Sequence, residues 1–111
     1  MATKKIYLFC TAGMSTSILA QTMQKVAESH DLPLEVKAYP IAKIDEIVEE
    51  EHPSCALLGP QVQHQYEATK LHIESTYDVP VGLIDQESYG RIDGEVVLKS
   101  AIKLIKTHRK K

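Results

Sequence analysis

Cys10-Thr11-Ala12-Gly13-Met14-Ser15-Thr16-Ser17 is the one stretch of this chain whose residue types converge on a chemistry. It offers a cysteine, a glycine and four hydroxyls, with no charged side chain among them. The cysteine ends an apolar run, Lys5 to Cys10, and the hydroxyls open a segment of helical periodicity. A helix start presents unpaired N–H groups and the positive end of the helix dipole. Gly13 allows the backbone to curl so that N–H groups point inward as an anion-binding nest. Such a setting favours thiolate over thiol. It equally favours an anionic group carried on the sulfur. The site therefore favours both a cysteine nucleophile and the anionic group, such as a phosphoryl, that it would carry, with the loop N–H groups and hydroxyls as donors to its oxygens.

The loop is close to a phosphatase signature but departs from it. A Cys-x5-Arg loop needs arginine where Thr16 stands, and the chain has two arginines, Arg91 and Arg109. Without a cation or an acid in the loop, the charge that develops during hydrolysis has no partner. Nor is this a Walker A loop, which requires Gly-Lys-Ser/Thr. Two other readings stay open: a low-molecular-weight phosphatase or arsenate reductase, if Arg91 folds in from the last loop, and a non-enzymatic anion-binding module. Cys10 and Cys55 show neither CxxC nor zinc spacing, and the five histidines form no HxxxH set, so no metal is expected.

The elements that must position this loop follow from hydrophobic periodicity. After the first apolar run, Ile18, Leu19, Thr22, Met23, Val26 and Ala27 mark one face of a helix, which His30-Asp31-Leu32-Pro33 ends. Ser15, Thr16 and Ser17 are candidate caps for it. Leu34–Tyr39 alternates as a half-exposed edge strand, and Pro40 stops it. Ile41, Ile44, Ile47 and Val48 mark a short helix with an acidic outer face. Ser54–Gly59 is a second buried strand, and Pro60 suits a first helical position. Val62, Tyr66, Thr69 and Ile73 continue at helical spacing. Pro80–Ile84 is a short strand, residues 85–94 read as a polar loop, and Val97 to Ile105 form the last helix.

This βαβαβαβα alternation predicts an α/β fold: a single domain, residues 1–111, with a four-stranded parallel sheet between helices on both faces. Right-handed crossovers give strand order 2-1-3-4. Ligands in such sheets bind beyond the carboxyl ends of the strands, where the winding switches. That switch lies between the first and third strands, which Cys10 and Gly59 end.

Composition excludes several classes. With 13 basic and 15 acidic residues the net charge is −2, so nucleic-acid binding is not expected. No apolar run approaches the ~20 residues of a membrane span, and the opening stretch does not read as a signal peptide. A cytoplasmic protein with reduced cysteines is expected.

Ile6-Tyr7-Leu8-Phe9-Cys10-Thr11-Ala12-Gly13-Met14-Ser15-Thr16-Ser17 closely resembles the opening of enzyme IIB components of the bacterial sugar phosphotransferase system, in the lactose/cellobiose/chitobiose group. Leu57-Leu58-Gly59-Pro60-Gln61 resembles the family's segment after the third strand, and Asp85, Tyr89-Gly90 and Asp93-Gly94 resemble its last loop. The matches run from residue 4 to about 105. The resemblance implies that Cys10 accepts phosphate from a histidine of the helical IIA protein. It then hands the phosphate to a sugar bound by the membrane-embedded IIC permease, a β-linked disaccharide such as cellobiose, chitobiose or lactose. It implies a phosphate-binding loop over residues 11–17 and no metal or organic cofactor. The protein is expected to be a monomer that visits the inner face of the cell membrane without inserting. Gly59, Pro60 and Gln61 are expected to form a neighbouring wall, and Asp85 and Tyr89 to shape the partner surface.

Overall fold

A computed structural model describes residues 4–11 and 14–108, without the side chains of Met14 and Ser15. Four parallel strands form one sheet in the order β2-β1-β3-β4. They are β1 (Lys4–Cys10), β2 (Leu34–Pro40), β3 (Cys55–Leu58) and β4 (Val81–Leu83). Helices α1 (Met14–Ser29), α2 (Ile44–Glu51), α3 (Tyr66–Tyr77), α4 (Gln86–Gly90) and α5 (Gly94–Thr107) complete the fold. Short 3-10 turns at Ile41–Lys43 and Pro60–Gln65 lead into α2 and α3.

The two central strands are apolar along their whole buried length because both of their faces are covered. Strand periodicity sorts the β1 side chains. Ile6 and Leu8 join Leu19, Met23, Leu57, Val97 and Leu98 in the core beneath α1 and α5. Tyr7 and Phe9 join Val48, Leu58, Val62, Ile73 and Val81 beneath α2 and α3. Tyr39 stacks on Phe9 with centroids 5.9 Å apart and tilts against Tyr7 at 5.1 Å. The Tyr7 hydroxyl is satisfied by Glu35 at 3.0 Å and Glu51 at 3.3 Å, and Lys5 donates to Glu51 at 2.9 Å. No buried side-chain polar atom lacks a partner among the described residues. Helices α1 and α5 lie very close: a Cβ on Gly94 would come within 2.7 Å of Thr22 Cγ2 and 3.0 Å of the Met23 amide nitrogen.

Two local expectations are corrected. Ser15, Thr16 and Ser17 do not precede the first helix; α1 already begins at Met14 and contains them. The stretch 85–94 is not an open loop, because it holds α4. Asp85 caps that helix by accepting from the Ser88 N–H at 2.9 Å, and Asp93 likewise caps α5 through the Val96 N–H at 3.2 Å. Ile92 joins the two with φ of 52°, a left-handed conformation that a β-branched residue adopts at a cost of about 1–3 kcal/mol. Its packing against the core and the Ile92 N–H donating to Tyr89 O hold it there.

Candidate functional site

Cys10 is the last residue of β1, at the carboxyl pole of the sheet. It pairs in register with Pro40, the last residue of β2. On its other side the Gly59 N–H donates to Phe9 O at 2.9 Å, extending the ladder one residue past β3. Cys10 thus lies at the strand-order switch point, between the ends of both neighbouring strands.

The residue is 2% exposed. Among the described residues two side chains come within hydrogen-bonding range of the sulfur: Thr11, with Oγ1 3.9 Å away, and Gln61, whose Oε1 accepts from the thiol at 3.0 Å. A cavity of about 200 Å³ opens beside it, lined by Cys10, Thr11, Thr16, Ser17, Ala38, Tyr39 and Pro40. That is room for several waters at ~30 Å³ each, and so for a tetrahedral oxyanion. Among the described residues that line it there is no lysine, arginine, histidine or carboxylate.

Of the residues expected to bind phosphate, Thr11, Thr16 and Ser17 line this cavity. Ala12 and Gly13 lie outside the described residues; Met14 and Ser15 are described only as helical backbone in the first turn of α1. Thr16 is buried, and its hydroxyl shares a 2.8 Å hydrogen bond with the Tyr89 hydroxyl. Tyr89 therefore reaches the first turn of α1 from α4, while Asp85 acts one step back as the cap of α4. Hydrogen bonds from the Ser88 backbone and side chain hold the Asp85 carboxyl below its ordinary range. On the β3 side Gly59 and Gln61 approach the Cys10 sulfur, and Pro60 stands between them at the first helical position; none of the three is among the residues lining the cavity. Gly59 is where the backbone comes closest: a Cβ there would be 2.9 Å from the Cys10 sulfur and 3.0 Å from Gln61 Oε1.

The wall on the β2 side, Ala38, Tyr39 and Pro40, was not anticipated as part of the site. The signal for it was the parallel pairing itself, since a neighbour of the first strand ending at the same level must flank Cys10. Arg91, on which the hydrolase alternative depends, lies 3.6 Å from Glu87 and 3.7 Å from Asp93 and does not line the cavity. Cys55 pairs with Ile6, four residues from Cys10 along the sheet; burial pushes its thiol up to about 12.

A parallel four-stranded sheet with a cysteine at its switch point and hydroxyls on the following helix suits phosphate-handling proteins of more than one class, and the chain's relatives decide which class it is. The family model described as PTS system, Lactose/Cellobiose specific IIB subunit, matches residues 5–100, so the chain belongs to that family. It is 37% identical over 108 residues to the galactose-specific EIIB component of Lactococcus lactis subsp. cremoris, covering 95% of this chain and 99% of that one. The same figures hold for the cellobiose-specific EIIB component of Lactococcus lactis subsp. lactis. The solution structure of the cellobiose-specific phosphotransferase IIB component from Borrelia burgdorferi superimposes with a TM-score of 0.78 at 29% identity, covering 97% of this chain and 96% of that one. The protein is accordingly an EIIB component of lactose/cellobiose type, a sugar phosphotransferase acting in sugar uptake. Among the described residues no helix is long and apolar enough to cross a membrane.

Proposed function

We propose that Cys10 is the phosphoryl-carrying nucleophile. The observation that carries this reading is the thiol's position at the strand-order switch point, against a cavity framed by Thr11, Thr16 and Ser17. In the first half-reaction the Cys10 sulfur attacks the phosphorus of a phosphohistidine on the IIA protein. The N–P bond breaks, an S–P bond forms, and the proton leaving the thiol is balanced by one gained at the histidine. In the second, a sugar hydroxyl held by the IIC permease attacks the same phosphorus. The S–P bond breaks with its electron pair on sulfur, and the proton lost by the hydroxyl restores the thiol. Residues 11–17 bind the three phosphoryl oxygens through N–H and hydroxyl groups near the start of α1. Among the described residues no cation or carboxylate lines the cavity to assist water, and on this reading the phosphoryl group persists until a partner docks and excludes solvent.

On this reading residues 1–111 act as one carrier domain on the cytoplasmic side, meeting IIA and IIC in turn. The sugar is a β-linked disaccharide of the cellobiose, chitobiose or lactose kind. The relatives' names differ in their sugar, which accords with a choice made at the permease rather than at Cys10.

Incubation with radiolabelled phospho-IIA protein, followed by mass-spectrometric mapping, tests the assignment. Label is expected on Cys10 and is expected to vanish in Cys10→Ser. Label on a histidine, or productive label surviving in Cys10→Ser, overturns it.

A further inference from the structure

Gln61 is an exposed residue whose side chain lies back over an almost fully buried sulfur. Its backbone is fixed. Pro60 precedes it, the Val62 N–H donates to Gly59 O at 3.1 Å, and the Val62 side chain is buried in the core beside α3. Gly59 contributes no Cβ, and the thiol and the carboxamide oxygen meet in the space this leaves. The contact is 3.0 Å, with the thiol donating and Oε1 accepting.

The chemistry of a carrier requires the sulfur to alternate between a proton donor and a charged acceptor. A thiol donates; a thiolate only accepts. A primary carboxamide presents an acceptor at one end and a donor pair at the other, related by rotation about its last bond. We propose that Gln61 is a catalytic residue that serves the sulfur in both states. Oε1 accepts from the resting thiol. After rotation, Nε2–H donates to the sulfur in its charged state: as the thiolate that forms before attack on phosphohistidine, and again as the S–P bond breaks and the electron pair returns to sulfur. This role rests on the phosphocysteine reading. It adds a donor placed on the sulfur itself, apart from those around the phosphoryl oxygens.

Gln61→Glu keeps an accepting oxygen, removes the N–H and adds a negative charge. Gln61→Met keeps the length and removes both amide ends. Circular dichroism should show both variants folded, as expected for an exposed position. Two readouts are then compared with wild type: the pH profile of Cys10 alkylation by iodoacetamide, and the rate at which radiolabelled phosphate returns from Cys10 to unlabelled IIA protein. Gln61→Glu should displace the alkylation profile upward by about one pH unit. Both variants should slow phosphoryl return about tenfold, the value of one hydrogen bond to a charged group. The proposal falls if the Gln61→Glu profile stays within about 0.3 unit of wild type, or if Gln61→Met returns phosphate within about twofold of the wild-type rate. If wild type takes no label at Cys10, the carrier reading fails and this role with it. Normal labelling with an undisplaced profile removes Gln61 alone.

Discussion

At the scale of single residues, the site is governed by close approach. Gly59 has an ordinary φ of −72°, so it is not required for backbone conformation. It is required for space, because a methyl group there would enter contact range of both the Cys10 sulfur and Gln61 Oε1. Gly59→Ala should therefore leave the protein folded, with stability lowered by about 1–3 kcal/mol through overpacking. The same variant should accept phosphate from IIA at least about tenfold more slowly, because displacements of the order of 1 Å at a reacting centre are costly. Denaturant unfolding and single-turnover labelling separate the two effects; wild-type labelling kinetics would remove the steric argument. Cys55 supplies the contrast. It shares Cys10's residue type, yet full burial holds its proton on at neutral pH, and it lies well along the sheet from the cavity.

At the scale of elements, joints matter more than the helices they connect. Glu74 on α3 accepts from Lys70 at 2.6 Å and from the backbone N–H of Val81 at 3.0 Å, fastening the helix to the first residue of β4. Burial opposes ionisation of this carboxyl, but the Lys70 and Val81 hydrogen bonds outweigh it and lower its pKa below the ordinary value. The sign follows directly: the contribution is complete above the unfolded-state value near 4.3 and is lost as pH falls through the lower folded-state value. Glu74→Gln should cost about 1 kcal/mol at pH 7. That difference from wild type should shrink as pH drops below about 4, as followed by urea unfolding at a series of pH values. A difference independent of pH would show that the charge contributes nothing. The α4 joint illustrates what periodicity misses. Five helical residues are too few to establish a pattern, so residues 85–94 read as loop. Yet Asp85 and Asp93 are both good N-cap types, and each accepts the bond that starts a helix. That α4 carries Tyr89 to Thr16 depends on the left-handed turn at Ile92, which no local preference of isoleucine foretells.

At the scale of the whole molecule, the parallel sheet separates stability from chemistry. The core lies on both faces of β1 and β3, whereas the cysteine and the residues around it gather at one pole. Leu8 is fully buried beneath α1 and α5, two residues before Cys10. Leu8→Ala should cost about 2–5 kcal/mol, a large share of the roughly 5–15 kcal/mol available to a domain. The surviving folded fraction at low temperature should still take label at Cys10. Thermal unfolding with labelling at 5–10 °C below the midpoint, on the order of one such stability increment, checks this. Loss of labelling in protein that remains folded would show that core and site are not separable.

Alternating periods of 2 and 3.6 determined the layers, the parallel sheet and its order, because each strand and helix must bury the face its own spacing makes apolar. They also placed Cys10 at a strand end before a hydroxyl-bearing helix, since all of those residues are neighbours in the chain. Tertiary structure alone decided which distant side chains meet them. Gln61 reaches the sulfur across 51 residues of sequence, Tyr89 reaches Thr16 across 73, and Ala38, Tyr39 and Pro40 close the cavity from the edge strand. Those meetings depend on register, on the turn at Ile92 and on a missing Cβ at Gly59. Differences of an ångström or two decide them, and hydrophobic spacing along a chain specifies faces rather than distances.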